Sequence, residues 1–167
     1  MANQCDNKSV GIIIRGIKGF VVILRENYPV AYAMVAGHLD GDSFEDAAKK
    51  EAQEEAGITV GTLELKHAEK FPNQCGRPGS WHEWQFFEAT KWHGELKAGS
   101  DAKKAFWKTP NELKKLELRT LKFAKKYNVP MDDVARLTPL VVEDPEWQKN
   151  PGLEPVWVVA LEKIGIL

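Results

Sequence analysis

Three features of the 167-residue sequence predict an α/β fold, a mixed β-sheet between helices with a helical extension toward the C-terminal end. Two β-branched runs are joined by a glycine-bounded turn, a capped charged helix follows a glycine-containing loop, and a second helix carries a full start signal further on. The β-branched runs cover residues 9–15 and 20–25, and the stretch from Gly16 to Gly19 joins them as a hairpin. A short strand is expected over 31–36, then a loop from Gly37 to Asp42. Ser43 caps the first helix, Asp46 sits three residues on, and Gly57 supplies a left-handed stop. Strand-like segments near 58–70 and 82–91 flank a loop at 72–80, and 105–108 reads as a last short strand. Thr109, Pro110 and Glu112 are the cap, first-turn proline and capping-box glutamate of a helix running toward Tyr127. Pro130, Pro139, Pro145, Pro151 and Pro155 break the remainder into short pieces, with a last helix over 154–164 ending at Gly165. The expected division is a domain over 1–129 and a helical extension over 130–167 packed on the same domain. A lid, or the arm of a homodimer, are the alternatives for that extension.

Bulk properties exclude several classes. With 43% hydrophobic and 28% charged residues, composition is that of an ordinary globular chain. A net charge of -1 provides no global field for polymeric nucleic acid or an acidic membrane. An anionic substrate must therefore be held by a local site or a bound metal. Two cysteines are too few for a disulfide-stapled secreted fold, and residues 1–9 lack the apolar core of a signal peptide. A soluble, cytoplasmic protein without a membrane partner is the expectation.

The first helix carries the chemistry. At about 100° per residue, Glu51, Glu54 and Glu55 share one face, and Ala48, Ala52 and Ala56 form the adjoining strip. Three like charges on one face repel, by roughly 0.2–0.5 kcal/mol per exposed pair. A divalent cation removes that penalty, and Mg²⁺ takes one or two carboxylates together with substrate phosphates. A solvated face with Glu–Lys pairs is the bland alternative, and Lys50 and Glu54 do form an i, i+4 pair.

The surrounding pattern favours the metal. Residues 37–58 read GHLDGDSFEDAAKKEAQEEAGI, with Gly37 leading to Asp42, then Lys50, Glu51, Ala52, Glu54, Glu55, Gly57 and Ile58. This resembles the Nudix box, in which a glycine loop leads to an acidic residue and then to Arg-Glu-apolar-any-Glu-Glu-any-Gly-apolar. Four positions depart from it. The gap from Gly37 to Asp42 is one residue short, Asp42 replaces glutamate, Ala52 is smaller than the usual aliphatic residue, and Lys50 replaces arginine. Arginine binds carboxylates bidentately and lysine does not, so the ion pair orienting the glutamates should be looser.

The resemblance implies a Nudix-type α/β/α sandwich and a Mg²⁺-dependent pyrophosphohydrolase, with Mn²⁺ as the alternative ion. Glu54 and Glu55 are then the primary metal ligands, Glu51 a ligand or water-orienting group, and the Gly37 carbonyl a further ligand. Glu54 and Asp101, which lies six residues before Trp107, are the two candidates for the general base. The implied substrate is a small nucleotide-like diphosphate: a nucleoside triphosphate, nucleotide sugar, dinucleotide or cap-like structure. Arg77 is placed to pair with a phosphate and Trp84 to stack on a base, although His82, Trp84 and Phe86 also alternate as one face of a strand. Cys5, His38 and Cys75 lack metal-like spacing, so no zinc site is expected, and His38 reads as a loop residue beside the Mg²⁺ site. Three other readings compete. They are a nucleotide-sensing domain without turnover, a relative of isopentenyl-diphosphate isomerase using Cys75, and a structural domain with a solvated acidic helix.

Overall fold

Strand β1 (Lys8–Gly16) is the axis on which the sheet is built. The computed structural model describes residues 4–72, 75–79, 81–99 and 102–167, with the backbone alone at 102 and 103. A tight hairpin at Gly16 and Gly19 turns β1 into β2 (Gly19–Arg25), as the β-branched runs predict. The expected strand over 31–36 is instead two short strands, β3 (Tyr32–Ala33) and β4 (Val35–His38). The chain changes partner between them: β3 pairs with β2 and β4 with β1, both antiparallel. Long strands β5 (Thr59–Pro72) and β6 (Trp81–His93) form an antiparallel pair, and β6 joins the other side of β1 in parallel. Strand β7 (Ala102–Lys108) starts earlier than expected and pairs with β2.

Helix α1 (Phe44–Ala56) covers one face of this mixed sheet, and α2 (Pro110–Tyr127) and α5 (Pro155–Ile164) cover the other. Alternation along β1 divides the core: Val10, Ile12 and Ile14 pack under the alanine strip of α1, while Ile13 packs with α5. The small side chains of Ala48, Ala52 and Ala56, all fully buried, let α1 lie close to the strands. Helix α2 has both halves of its capping box, with Thr109 and Glu112 each bonding the other's backbone N–H.

Beyond residue 129 the chain forms α3 (Val134–Glu143), α4 (Pro145–Lys149) and α5. Pro139 is exposed and lies within α3 rather than ending it. Asp144 ends α3 and caps α4, accepting from the Trp147 N–H at 2.8 Å, from Tyr127 at 2.6 Å and from Lys126 at 2.8 Å. These donors hold its carboxyl well below the ordinary carboxylate range. Helix α5 is apolar on nearly every side, and Trp157 is fully buried with its ring edge-on to Phe86 at 5.2 Å. No described helix is long and apolar enough to cross a membrane.

Candidate functional site

The local signals at both ends of α1 act as the sequence predicts. Ser43 accepts from the Asp46 N–H, and Gly57 (φ 68°) turns the chain in the left-handed region and returns its N–H to the last helical turn. Residues 97–99 then run across the C-terminal end of the helix. Lys97 N–H donates to the Ala56 carbonyl at 2.9 Å and Gly99 N–H to that of Glu55 at 3.0 Å. This fixes the half of α1 that carries the three glutamates.

Each glutamate has a different environment. Glu55 is 8% exposed and accepts from the Ala36 N–H at 3.1 Å, which ties α1 to β4. Glu51 is half-buried against the backbone of Gly37, where any Cβ would collide with its carboxylate. A side chain at 37 would therefore have to displace that carboxylate. Glu54 is exposed. All three line one cleft of about 270 Å³ together with Arg25, Lys50 and Arg77, so carboxylates and cations face the same space. Lys50 lies 3.7 Å from Asp42, both roughly half exposed. Arg77 donates to Asp40 at 2.9 Å, and that bond lowers the Asp40 pKa below its ordinary value.

Of the other expected site residues, Asp101 lies outside the described residues. Trp84 is a correction. It is 5% exposed, stacked on Phe86 at 5.1 Å and edge-on to Trp157, so its ring is occupied by core packing rather than presented to a base. The strand alternation already pointed that way.

A second correction concerns the cysteines. Cys5, His38, Cys75 and His82 each place a ligand atom within 4.8 Å of the other three. The sheet register brings them together: Ser9 of β1 pairs with His38 of β4, while β6 begins beside β1 with Lys8 opposite Glu83. Cys5 precedes β1 and bonds through its N–H to the Pro78 carbonyl at 3.3 Å. Burial pushes the Cys5 thiol up to about 11 and the His82 imidazole down to about 4, and it lowers His38 as well, so both imidazoles are neutral at pH 7. The available sequence signal was the spacing from Cys75 to His82 across a glycine- and proline-containing turn. Cys5 and His38 are too distant in sequence to complete it by inspection.

A model of the NUDIX domain matches residues 6–128. The chain belongs to the NUDIX domain family. Solved structures with the same fold include a MutT NUDIX hydrolase from Burkholderia pseudomallei, at 18% identity over 64% of this chain and 84% of that one, TM-score 0.56. A mutator MutT protein from Bacillus halodurans is 26% identical over 66% of this chain and 72% of that one, TM-score 0.53. A bifunctional NMN adenylyltransferase/ADP ribose pyrophosphatase from Francisella tularensis, complexed with AMP and a manganese ion, is 18% identical over 69% of this chain and 37% of that one, TM-score 0.52. No curated protein matches this chain.

Proposed function

We propose that this NUDIX protein is a Mg²⁺-dependent hydrolase, with Mn²⁺ as the alternative ion, that cleaves the diphosphate linkage of a small nucleotide-like substrate. The observation that carries the reading is the convergence of Glu51, Glu54 and Glu55 with Arg25, Lys50 and Arg77 in one cleft. The donor set fits the ion: carboxylates are hard oxygen ligands, and their mutual repulsion is relieved by a divalent cation. Glu54 and Glu55 would hold it, with Glu51 and the Gly37 carbonyl beside them. Bound there, it supplies a Lewis acid at a phosphoryl oxygen and a water of lowered pKa.

The chain's own residues do the rest. The Ala36 N–H fixes the Glu55 carboxylate, and the backbone of Gly37 packs against the Glu51 carboxylate. Arg25 and Arg77 face the cleft as donors for phosphate oxygens. Glu54 and Asp101 are the candidates to take a proton from the attacking water. The Francisella structure with AMP and manganese supports the ligand and metal classes. The division into a hydrolase domain over 1–129 and a packed extension over 130–167 belongs to the same proposal.

Incubation with nucleoside triphosphates, nucleotide sugars and dinucleotides, with and without Mg²⁺, tests this directly. Metal-dependent release of a nucleoside monophosphate, absent in Glu54→Gln and Glu55→Gln, is expected. Tight nucleotide binding without turnover across the panel would instead support a sensing domain.

A further inference from the structure

We infer that Cys5, His38, Cys75 and His82 form a tetrahedral Zn²⁺ site that clamps four chain segments together beside the carboxylate cleft. A Cys₂His₂ donor set is soft and selects zinc over magnesium, the reverse of the preference of the glutamates. The spacing agrees. Zn–S bonds of about 2.3 Å and Zn–N bonds of about 2.0–2.1 Å set the atoms of a tetrahedron roughly 3.4–3.8 Å apart. The two sulfurs are 3.7 Å apart, and all four ligand atoms fall within 4.8 Å of one another. Cys5 Sγ and His82 Nε2 are 2.8 Å apart, a thiol–imidazole hydrogen bond that would open by under about 1 Å around the ion.

The surroundings fit a metal centre better than one buried and one half-buried free thiol. Each sulfur accepts an N–H from the residue two positions on, Asn7 to Cys5 and Arg77 to Cys75, both at 3.3 Å. His82 Nδ1 lies 2.8 Å from Ser9 Oγ; an Nδ1–H donating to that hydroxyl leaves the Nε2 lone pair for the ion. His38 Nε2 is a buried nitrogen with no hydrogen-bond partner among the described residues. A Cys5–His82 nucleophile dyad would account for neither His38 nor Cys75, and Cys5, at 5% exposure, is closed to a substrate. With four protein ligands and no open position, the site is structural.

Its effect follows from what it joins. It holds the segment before β1 and residues 75–79 against the end of β4 and the start of β6. Arg77, in the cleft with the glutamates, is two residues from Cys75. The ion thereby positions one cationic wall of the cleft; this consequence rests on the proposed hydrolase activity, whereas the metal site itself does not.

Elemental analysis of the full chain, produced in zinc-supplemented cells and dialysed against metal-free buffer, is the test. One zinc per chain is expected, retained by Glu54→Gln and lost by Cys5→Ser and Cys75→Ser. Because the serine variants can fail to fold, Co²⁺ exchange into the wild type provides an independent readout. Tetrahedral bands with thiolate-to-cobalt charge transfer are expected, and stripping the metal should lower Tm by roughly 10 °C. Absence of zinc, iron in its place, a Cys5–Cys75 disulfide on thiol counting, or alkylation of Cys5 at the same rate with and without chelator would each overturn the site.

Discussion

Gly37 and His38 are neighbours on β4, yet they serve two donor clusters of opposite character. Gly37 lies against Glu51 in a cleft of hard carboxylate oxygens and solvent, whereas His38 joins soft sulfur and nitrogen donors, two of which are almost fully buried. The oxygen cluster comes from one helix and the sulfur–nitrogen cluster from four separate segments. A cluster on one helix needs only that helix to exist, so a metal bound there would come and go with substrate. A cluster drawn from four segments exists only in the finished fold, and its metal becomes part of that fold. Ligand softness would keep the two proposed ions apart even though the sites adjoin.

Variants that separate the clusters test this contrast. Glu54→Gln should reduce turnover by at least about 100-fold without changing zinc content, read by single-turnover kinetics beside elemental analysis. A proportional loss of zinc would merge the two clusters into one system. Gly37→Ala should push the Glu51 carboxylate aside and slow turnover by about 10- to 100-fold. An unchanged rate would show that Glu51 has no fixed position to lose. Ser9→Ala removes the partner of His82 Nδ1 and should weaken zinc by about 10- to 100-fold in a competition titration, leaving the rate at saturating zinc intact.

Two smaller effects calibrate these. Asp144→Asn, remote from both clusters, should lower Tm by roughly 5 °C at pH 7 with no loss of zinc or turnover below Tm. The folded-state pKa of Asp144 is depressed, so its contribution is present above the ordinary value of 3.8 and fades as pH falls below it. The Tm gap between variant and wild type should therefore narrow in acid. Lys50→Ala should cost under about 1 kcal/mol of stability in denaturant titration, because its pair with Asp42 is long and half exposed.

The same contrast decides what the sequence made legible. Glu51, Glu54 and Glu55 fall on one face at helical spacing, and Ser43 and Gly57 mark the helix ends, so a local window contains the whole carboxylate site. The β1–β2 hairpin and α2 were readable for the same reason. The Cys–His cluster depends on β4 pairing antiparallel and β6 parallel to β1, long-range choices that no window of neighbouring residues contains. The break at Met34 is not legible in the sequence, because a continuous apolar run does not reveal that its two halves pair with different strands. Trp84 was ambiguous because an alternating aromatic strand reads equally as core or binding face until the opposite layer is known, and that layer includes Trp157, far along the chain.

Translation order gives the burial of α5 a cost. Ile13, Phe20 and Phe86 belong to the same core cluster as Trp157 and Val158, but ribosomes deliver them long before residues 155–161. Until that helix emerges, the part of this sheet face that α2 leaves uncovered stays open to water, where chaperones or other nascent chains can engage it. Residues 155–161 therefore complete one of the two core layers of the stretch matched by the family model, 6–128, and expressing that stretch alone should yield aggregates.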